Sequence, residues 1–493
     1  MAEKRKHSVV AGAGAGGLAM ALLLAMSGRK VTLLEATPRL GGALQRFRRC
    51  GAPFDTGFHF TGGFDGPLAQ MLAVLNMADV VREEAFSTRL VLGGSGRSVD
   101  CPAGGIAELA ELLSGIFPER ARAIAEYFAA EKFVADHTPM FDLRDRDFLS
   151  KMALHEYDFV TLDDYLDQLG ITGDLRLLLA SGSLCHGTPP CEAAVTHHCR
   201  VSYGLDQHIS RVSGGGDAFL AGFRREAAKL GIAVRTGVRI TAARDYTGRE
   251  CRRVCLSDGE ELELDELFLA IHPRSILEIL PPEAVRPGFR ERVTKFEDSC
   301  GFFTVFGVLD DSSDAPAALT SYLNAADCDD ILLPGGKGYG TGIVRARERD
   351  AAGRTVATVT AFRTIFPEGE KRWSLLPRHG GDEAYCEYKA AMAESVTEDI
   401  YRTHPEYRGR LRIVEAASML SFRDYLPPTG CAYGVRRKMG EAHLFGRLPV
   451  RNFYAVGQSA LVPGVLGTMM TSFLLFRQLA GEACYQDLIR GVI

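Results

Sequence analysis

The stretch HSVVAGAGAGGLAMALLLAMSGRKVTLLE, from His7 to Glu35, decides the fold. Ser8 to Ala11 is a short apolar run suited to a buried parallel strand, and it leads straight into Gly12, Gly14 and Gly17 in GxGxxG spacing. Gly12 permits the tight strand-to-helix turn, Gly14 lets a pyrophosphate approach the backbone, and Gly17 lets the helix lie close on the sheet. Ala15 and Gly16, inside the same glycine run, are expected to contact the dinucleotide as well. Leu18 to Ser27 predicts a helix that is apolar on nearly all sides and therefore buried, with Gly28 as its C-cap. Val31 to Leu34 supplies a second strand, and Glu35 ends it 18 positions after Gly17, where a carboxylate can accept from both hydroxyls of a ribose. A glycine-rich turn beside a solvated Glu would not need this whole order. Strand, glycines, helix, strand and acid together point to a dinucleotide site, and the acid repels a 2′-phosphate.

Working outward, 493 residues are too many for one simple core, which predicts two domains. With 46% hydrophobic and 24% charged residues the composition is that of an ordinary globular protein. A net charge of -5 leaves no basic footprint, so nucleic acid is excluded as a partner. No stretch reaches the ~20 apolar residues of a membrane span. The basic start Lys4-Arg5-Lys6 followed by apolar residues to Ser27 has the look of a secretory leader, but such a leader needs neither fixed glycines nor a second strand ending in an acid. A cytoplasmic protein is expected. The twelve cysteines are scattered without CxxC or zinc-ligand spacing, which predicts reduced thiols and no metal. His186, His197 and His198 near Cys185 and Cys191 offer no spacing to a further ligand, and a surface or core role is expected for them.

Glu35-Ala36-Thr37-Pro38-Arg39-Leu40-Gly41-Gly42, an ExxxRxGG arrangement, resembles the flavin amine oxidase and phytoene desaturase superfamily, as does Gly51 to His59 in the pattern GxxFDxGxH. The resemblance implies FAD: Gly41, Gly42 and Ala43 on the flavin side of the site, Arg39 near the pyrophosphate, Ala36 beside the ribose-binding acid, and His59 passing under the isoalloxazine. Near the other end, Asn452 to Ser459 reads as a buried strand running into a turn, and Pro463 to Ser472 opens an apolar helix to Ala480. This looks like the superfamily's flavin-closing motif, which implies cofactor contacts from Gly457, Gln458, Gly467, Thr468 and Met469. A helix N-terminus there would stabilise negative charge on the reduced flavin. In the middle, Gly214-Gly215-Gly216 and the helix to Leu230 again fit the family, and Val238 resembles its backbone contact to adenine.

The expected fold is α/β: a discontinuous Rossmann-type FAD-binding domain from 1–75, 205–285 and 445–493, with an α+β substrate domain from 76–204 and 286–444. Glu261 to Ala270 predicts another strand of the nucleotide sheet. Helices are predicted over Gly105 to Phe117, Glu119 to Phe133 and Thr161 to Leu179, and strands over Gly301 to Leu309 and Thr355 to Phe362. A sheet beneath the flavin's reactive face, with helices above, would enclose an apolar cavity.

Flavin performs hydride chemistry itself, so few catalytic side chains are required. No nucleophile elbow or metal box is present, and the catalytic candidates are His59 and Tyr425, the latter in the Ser421 to Gly434 stretch. The resemblance leans toward the phytoene desaturase, carotenoid isomerase and retinol saturase branch. It implies an apolar, polyene or isoprenoid substrate undergoing desaturation, saturation or flavin-assisted isomerisation, with an electron acceptor such as oxygen or a quinone. A flavin amine oxidase is the enzymatic alternative, and a lipid- or prenyl-binding escort protein of the same fold is the non-catalytic one. Apolar residues within Phe148 to Leu169 or near the C-terminus suggest peripheral contact with a membrane.

Overall fold

In the computed structural model, residues 5–311, 315–376, 382–426 and 428–493 are described; Lys4 of the basic start and Pro427 of the Ser421 to Gly434 stretch lie outside the described residues. Valine- and leucine-rich runs, buried on both faces, build a parallel sheet. Its order is Gly446–Arg447, Phe453–Ala455, Glu266–Leu269, His7–Ala11, Lys30–Glu35, Ala233–Thr236, and only the Gly446–Arg447 edge is antiparallel. The first strand is central, the next two in chain order lie to one side and the later ones to the other. The order therefore reverses between His7–Ala11 and Glu266–Leu269, and a crevice opens at their carboxyl ends.

The helix between the first two strands runs from Ala15 to Met26, three residues earlier than Leu18, because Gly16 and Gly17 lie inside it and not in the turn. Ser27 is its C-cap, and Gly28 follows with φ +86°. The run from Glu261 to Ala270 splits into two strands. Glu261–Glu263 ends an antiparallel meander with Ile240–Arg244 and Arg253–Leu256, and Glu266–Leu269 joins the parallel sheet. Thr161 to Leu179 likewise forms two helices, Leu162–Gln168 and Gly173–Ala180, because Gly170 and Gly173 between them take positive φ.

A second sheet has seven strands in the order Leu411–Ala417, Gly301–Leu309, Thr355–Ile365, Tyr339–Arg349, Ala317–Asn324, Phe86–Leu92, Ser98–Cys101. The helix Glu383–Thr403 buries Val396 and Ile400 against Phe303, Val305 and Ile343 of this sheet. The hairpin Arg46–Arg49 and Ala52–Asp55 packs Phe47 and Phe54 against Phe306, with ring centroids 4.8 and 5.6 Å away. Each fully buried ring of this kind contributes about 1.5–3 kcal/mol.

A buried ion network fixes the same junction. Arg46 Nε meets Asp55 Oδ1 at 2.8 Å and its Nη2 meets Glu348 Oε1 at 2.7 Å; Arg211 bonds Asp55 at 3.0 Å, Glu84 at 2.9 Å, and Glu348. Asp55, part of the GxxFDxGxH run, is therefore a clamp between segments far apart in the chain. Removing one partner of such a network would leave charge buried without compensation.

Candidate active site

A cavity of about 780 Å³ opens at the crevice and continues between the two sheets. Its nucleotide half is shaped by backbone. Gly12, at φ +95°, turns so tightly that a Cβ would lie 2.5 Å from the Ala270 carbonyl oxygen, and a Cβ on Gly17 would fall on the carbonyl oxygen of Gly12. At Gly14 an added Cβ meets no atom within 4 Å, so that face opens on the cavity. The helix that starts at Ala15 has no side-chain cap, which leaves its first N–H groups for an anion. These three glycines thus have the different environments that the turn, the pyrophosphate and the helix packing require, and the cradle fits a dinucleotide.

Glu35 Oε2 accepts from the Ala13 N–H at 2.9 Å, and Oε1 accepts from the Thr37 N–H and hydroxyl, each at 2.8 Å. Held in this way, the carboxylate keeps lone pairs directed along the cavity wall, where Ala36 and Val238 also lie. The Val238 N–H is taken by the Glu35 carbonyl at 3.0 Å, which leaves its own carbonyl for a ligand. Gly41, Gly42 and Ala43 line the cavity, and a Cβ on Gly42 would come 3.4 Å from Gly14 Cα, so these two loops close on each other. Arg39 lies off the wall and donates to the Arg46 carbonyl at 3.0 Å.

The far end of the chain closes the same site. Gly457, Gln458, Gly467 and Thr468 line the cavity, and the helix Gly464–Ala480 has no side-chain cap, so its first turn presents free N–H groups there. Ser472 Oγ donates to the Gly16 carbonyl at 2.8 Å, and a Cβ on Gly16 would come 2.7 Å from Thr468 Cγ2, so the two helices touch at this point. Met469 is buried behind the wall, beside Ala15 and Leu18.

The other half of the cavity is made of side chains. His59 stacks flat on Phe362, with centroids 4.7 Å apart and planes 7° from parallel. Burial lowers the His59 ring to about 4, opposed by the Asp55 carboxylate and reinforced by Arg211 and Arg46. The ring is neutral at pH 7 and a poor acid. Phe302 packs edge-on against both Phe362 and Tyr433. Tyr433 lines the cavity, and its hydroxyl meets no hydrogen-bonding atom among the described residues; burial holds the phenol well above its ordinary pKa. Tyr425 also lines the cavity, and the turn after it closes at Gly430, where a Cβ would lie 2.5 Å from the Met419 carbonyl oxygen.

His272, Asp298 and Cys431 bring possible metal-ligand atoms within 4.8 Å of one another. Their geometry is that of a hydrogen-bonded clip. Asp298 accepts from His272 Nε2 at 2.9 Å, Arg274 at 3.0 Å and the Thr429 hydroxyl at 3.0 Å, and His272 Nδ1 accepts from the Arg274 N–H at 3.3 Å. Burial alone would raise the Asp298 carboxyl, but these donors outweigh it and hold the group below its ordinary range.

Sequence reasoning marked Tyr433 only as part of the Ser421 to Gly434 stretch and did not find Phe302, Phe362 or Arg200 as parts of this wall, although all four line it. They come from separate elements that only the tertiary fold brings together. Alternation along Thr355–Ile365 could have flagged Phe362 as facing one side of its sheet. The three histidines are buried: His186 Nε2 and His198 Nδ1 lie 3.2 Å apart, and the Tyr127 hydroxyl is 3.0 Å from His198 Nε2, so the core reading holds and the surface one does not.

Comparison with known proteins bears on the cofactor and the chemistry. Residues 15–302 match the family described as flavin containing amine oxidoreductase. Over 97% of its length the chain is 24% identical to all-trans-retinol 13,14-reductase from Macaca fascicularis, of which 86% is covered. Among solved structures, an oxidoreductase from Methanosarcina mazei superposes with a TM-score of 0.65 at 14% identity, over 96% of this chain and 100% of that one. Cyclohexylamine oxidase from Brevibacterium oxydans IH-35A gives 0.60 at 15%, over 99% and 100%. The family match spans more than half of the 493 residues, so the chain belongs to the flavin containing amine oxidoreductase family and is an FAD-dependent oxidoreductase of its retinol saturase branch.

Proposed function

We propose that the protein reduces a carbon–carbon double bond of an apolar polyene or isoprenoid-like substrate. The observation that carries this reading is the chemistry of the cavity wall. Among the described residues its acids are Glu35 and Glu278, both in the nucleotide half, while the reactive half is apolar and aromatic apart from Arg200 and a few neutral polar groups. An ammonium substrate would find no carboxylate there, whereas a polyene would exchange water for apolar contact. The near full-length likeness to all-trans-retinol 13,14-reductases supports the same direction of reaction.

FAD, held by the glycine cradle, Glu35 and the closing helix, would supply the hydride when bound and reduced by an external two-electron donor. Saturating an alkene also needs a proton. Tyr433 is the group we assign to deliver it: it stays protonated at neutral pH, and its hydroxyl is not engaged elsewhere. His59 and Phe362 would wall the reaction space and exclude water. In the opposite direction, desaturation, an acceptor such as oxygen or a quinone would remove the electrons.

Access for a lipid-soluble substrate fits a peripheral membrane contact. No helix among the described residues is long and apolar enough to cross a membrane. Leu149, Leu154 and Phe159 are 68%, 71% and 67% exposed, and the residues that precede this segment contribute Thr138 and Phe141 to the cavity wall. Such residues suit insertion into the headgroup boundary at the mouth of a substrate path. Co-sedimentation with phosphatidylcholine vesicles should fall in the Leu149→Ser, Leu154→Ser, Phe159→Ser variant, with turnover of detergent-dispersed substrate retained; equal sedimentation would remove this part of the proposal.

The reaction itself is tested with holoenzyme under anaerobic conditions. Chemically reduced enzyme should be reoxidised by all-trans-retinol, and the oxidised enzyme should not be bleached by primary amines. Bleaching by amines with no response to the polyene would favour the amine oxidase alternative. A colourless protein that takes up no FAD would contradict the enzyme reading altogether.

A further inference from the structure

Six arginines are almost wholly buried, and each has a carboxylate partner: Arg46 and Arg211 in the network above, Arg345 with Asp311, Arg363 with Asp399, Arg436 with Glu192, and Arg477 with Glu482. This is the expected condition for a guanidinium taken out of water. Two further arginines lie deep in the protein without one. Arg200, on the helix Val195–Gln207, makes a single side-chain bond, from Nε to the Thr138 hydroxyl at 3.3 Å, and lines the cavity. Arg437 donates from Nη2 to the Ala460 carbonyl at 3.2 Å, while its buried Nη1 has no hydrogen-bond partner.

Neither has a carboxylate within ion-pair distance among the described residues, although Asp158 lies near enough to oppose the lowering of Arg200 by burial. His197 Nε2 and both ring nitrogens of His443 are buried without hydrogen-bond partners. Burial lowers Arg437 to about 9, with Arg200 acting in the same direction and Glu441 opposing. Arg200 thus places a positive charge in the reactive half of the cavity, with Arg437 near it but off the wall, and none of the six arginines named above is left in that condition.

We infer that Arg200 binds the anionic end of the substrate, with Arg437 adding a second positive charge, so that the substrate class is an unsaturated chain ending in a carboxylate. The inference deepens the proposed function and rests on it for the apolar chain. A planar carboxylate matches the fork of a guanidinium, which an alcohol or ester does not. Thr138 fixes the fork through Nε and leaves the two terminal nitrogens for the ligand.

The test uses holoenzyme titrated with all-trans-retinoic acid, methyl retinoate and palmitate, followed by flavin absorbance and fluorescence. A charge-assisted pair predicts that the acid binds about 10- to 100-fold more tightly than its methyl ester. Arg200→Gln should abolish that preference at unchanged ester affinity, and Arg200→Lys should restore part of it. Equal binding of acid and ester by the unaltered enzyme overturns the inference, with no need for a variant to fold. It is also overturned if Arg200→Gln alters the flavin's own absorbance or midpoint potential but leaves the acid-to-ester ratio intact, since the cation then serves the cofactor. Tight palmitate binding with no response to either retinoid supports the anion site and contradicts the polyene reading. Binding of both retinoids with equal affinity does the reverse.

Discussion

The two halves of the cavity are built from different material. The nucleotide half is backbone: glycines that turn, open or pack, two helix N-termini, and one acid held by three donors. The reactive half is side chains, with His59, Phe302, Phe362, Tyr433 and Arg200 arriving from separate stretches of the chain. Substitutions in the first half should therefore act on folding and on flavin content. Those in the second should act on turnover and ligand choice while flavin stays bound.

The largest effect is expected at Gly12. A Cβ there meets the Ala270 carbonyl oxygen at 2.5 Å with φ at +95°, so Gly12→Ala should destabilise by about 3 kcal/mol or more and yield protein without flavin. Gly14→Ala makes the sharper comparison. It has space for its Cβ, so thermal unfolding should stay near the unaltered value while FAD uptake is lost. If both variants unfolded alike, Gly14 would be a folding residue and not a ligand-facing one.

Tyr433→Phe probes the opposite half: turnover should fall about 10²- to 10⁴-fold with a full complement of flavin. Loss of flavin instead would place Tyr433 among the cofactor contacts. Glu35→Ala should weaken FAD about 10- to 100-fold, because a charged acceptor and the geometry it imposes on Ala13 and Thr37 disappear together. Equilibrium dialysis of apoprotein with FAD measures it.

Stability also depends on pH. Burial lowers His198 to about 4, and it lowers His443 to about 2, aided by Arg437 and Arg292. In the unfolded chain such rings take a proton near 6.5, so below that pH the unfolded state binds more protons and stability falls. Each ring contributes about 1.4 kcal/mol per pH unit until its folded value is reached. Urea midpoints recorded from pH 7 down to pH 5 should decline; a flat series would mean that these rings are charged in the folded protein.

The same contrast explains what was legible in the sequence. The sites at Gly12, Gly14, Gly17 and Glu35 are local, with turn, approach, packing and acid falling within 24 residues, so spacing alone conveys them. Glu35 kept its place, but Arg39 did not, because its guanidinium is drawn to the Arg46 carbonyl by the hairpin that follows. Met469 turned inward because helical periodicity places it on the face packed against Ala15 and Leu18. Only the stretch around it marks Tyr433, and Arg200 carries no local signature at all. A tyrosine after a turn and an arginine on a helix look alike whether solvated or buried, and only the cavity distinguishes them. Splitting of the Thr161 to Leu179 helix was visible in Gly170 and Gly173, whose positive φ outweighs the apolar periodicity around them.

The most direct measurement is a single anaerobic turnover, with chemically reduced holoenzyme mixed with one equivalent of a polyene, flavin absorbance followed in time and the product weighed by mass spectrometry. The account predicts flavin reoxidation matched one to one by a product heavier by two hydrogen atoms. Flavin that stays reduced while the polyene is recovered unchanged would contradict it.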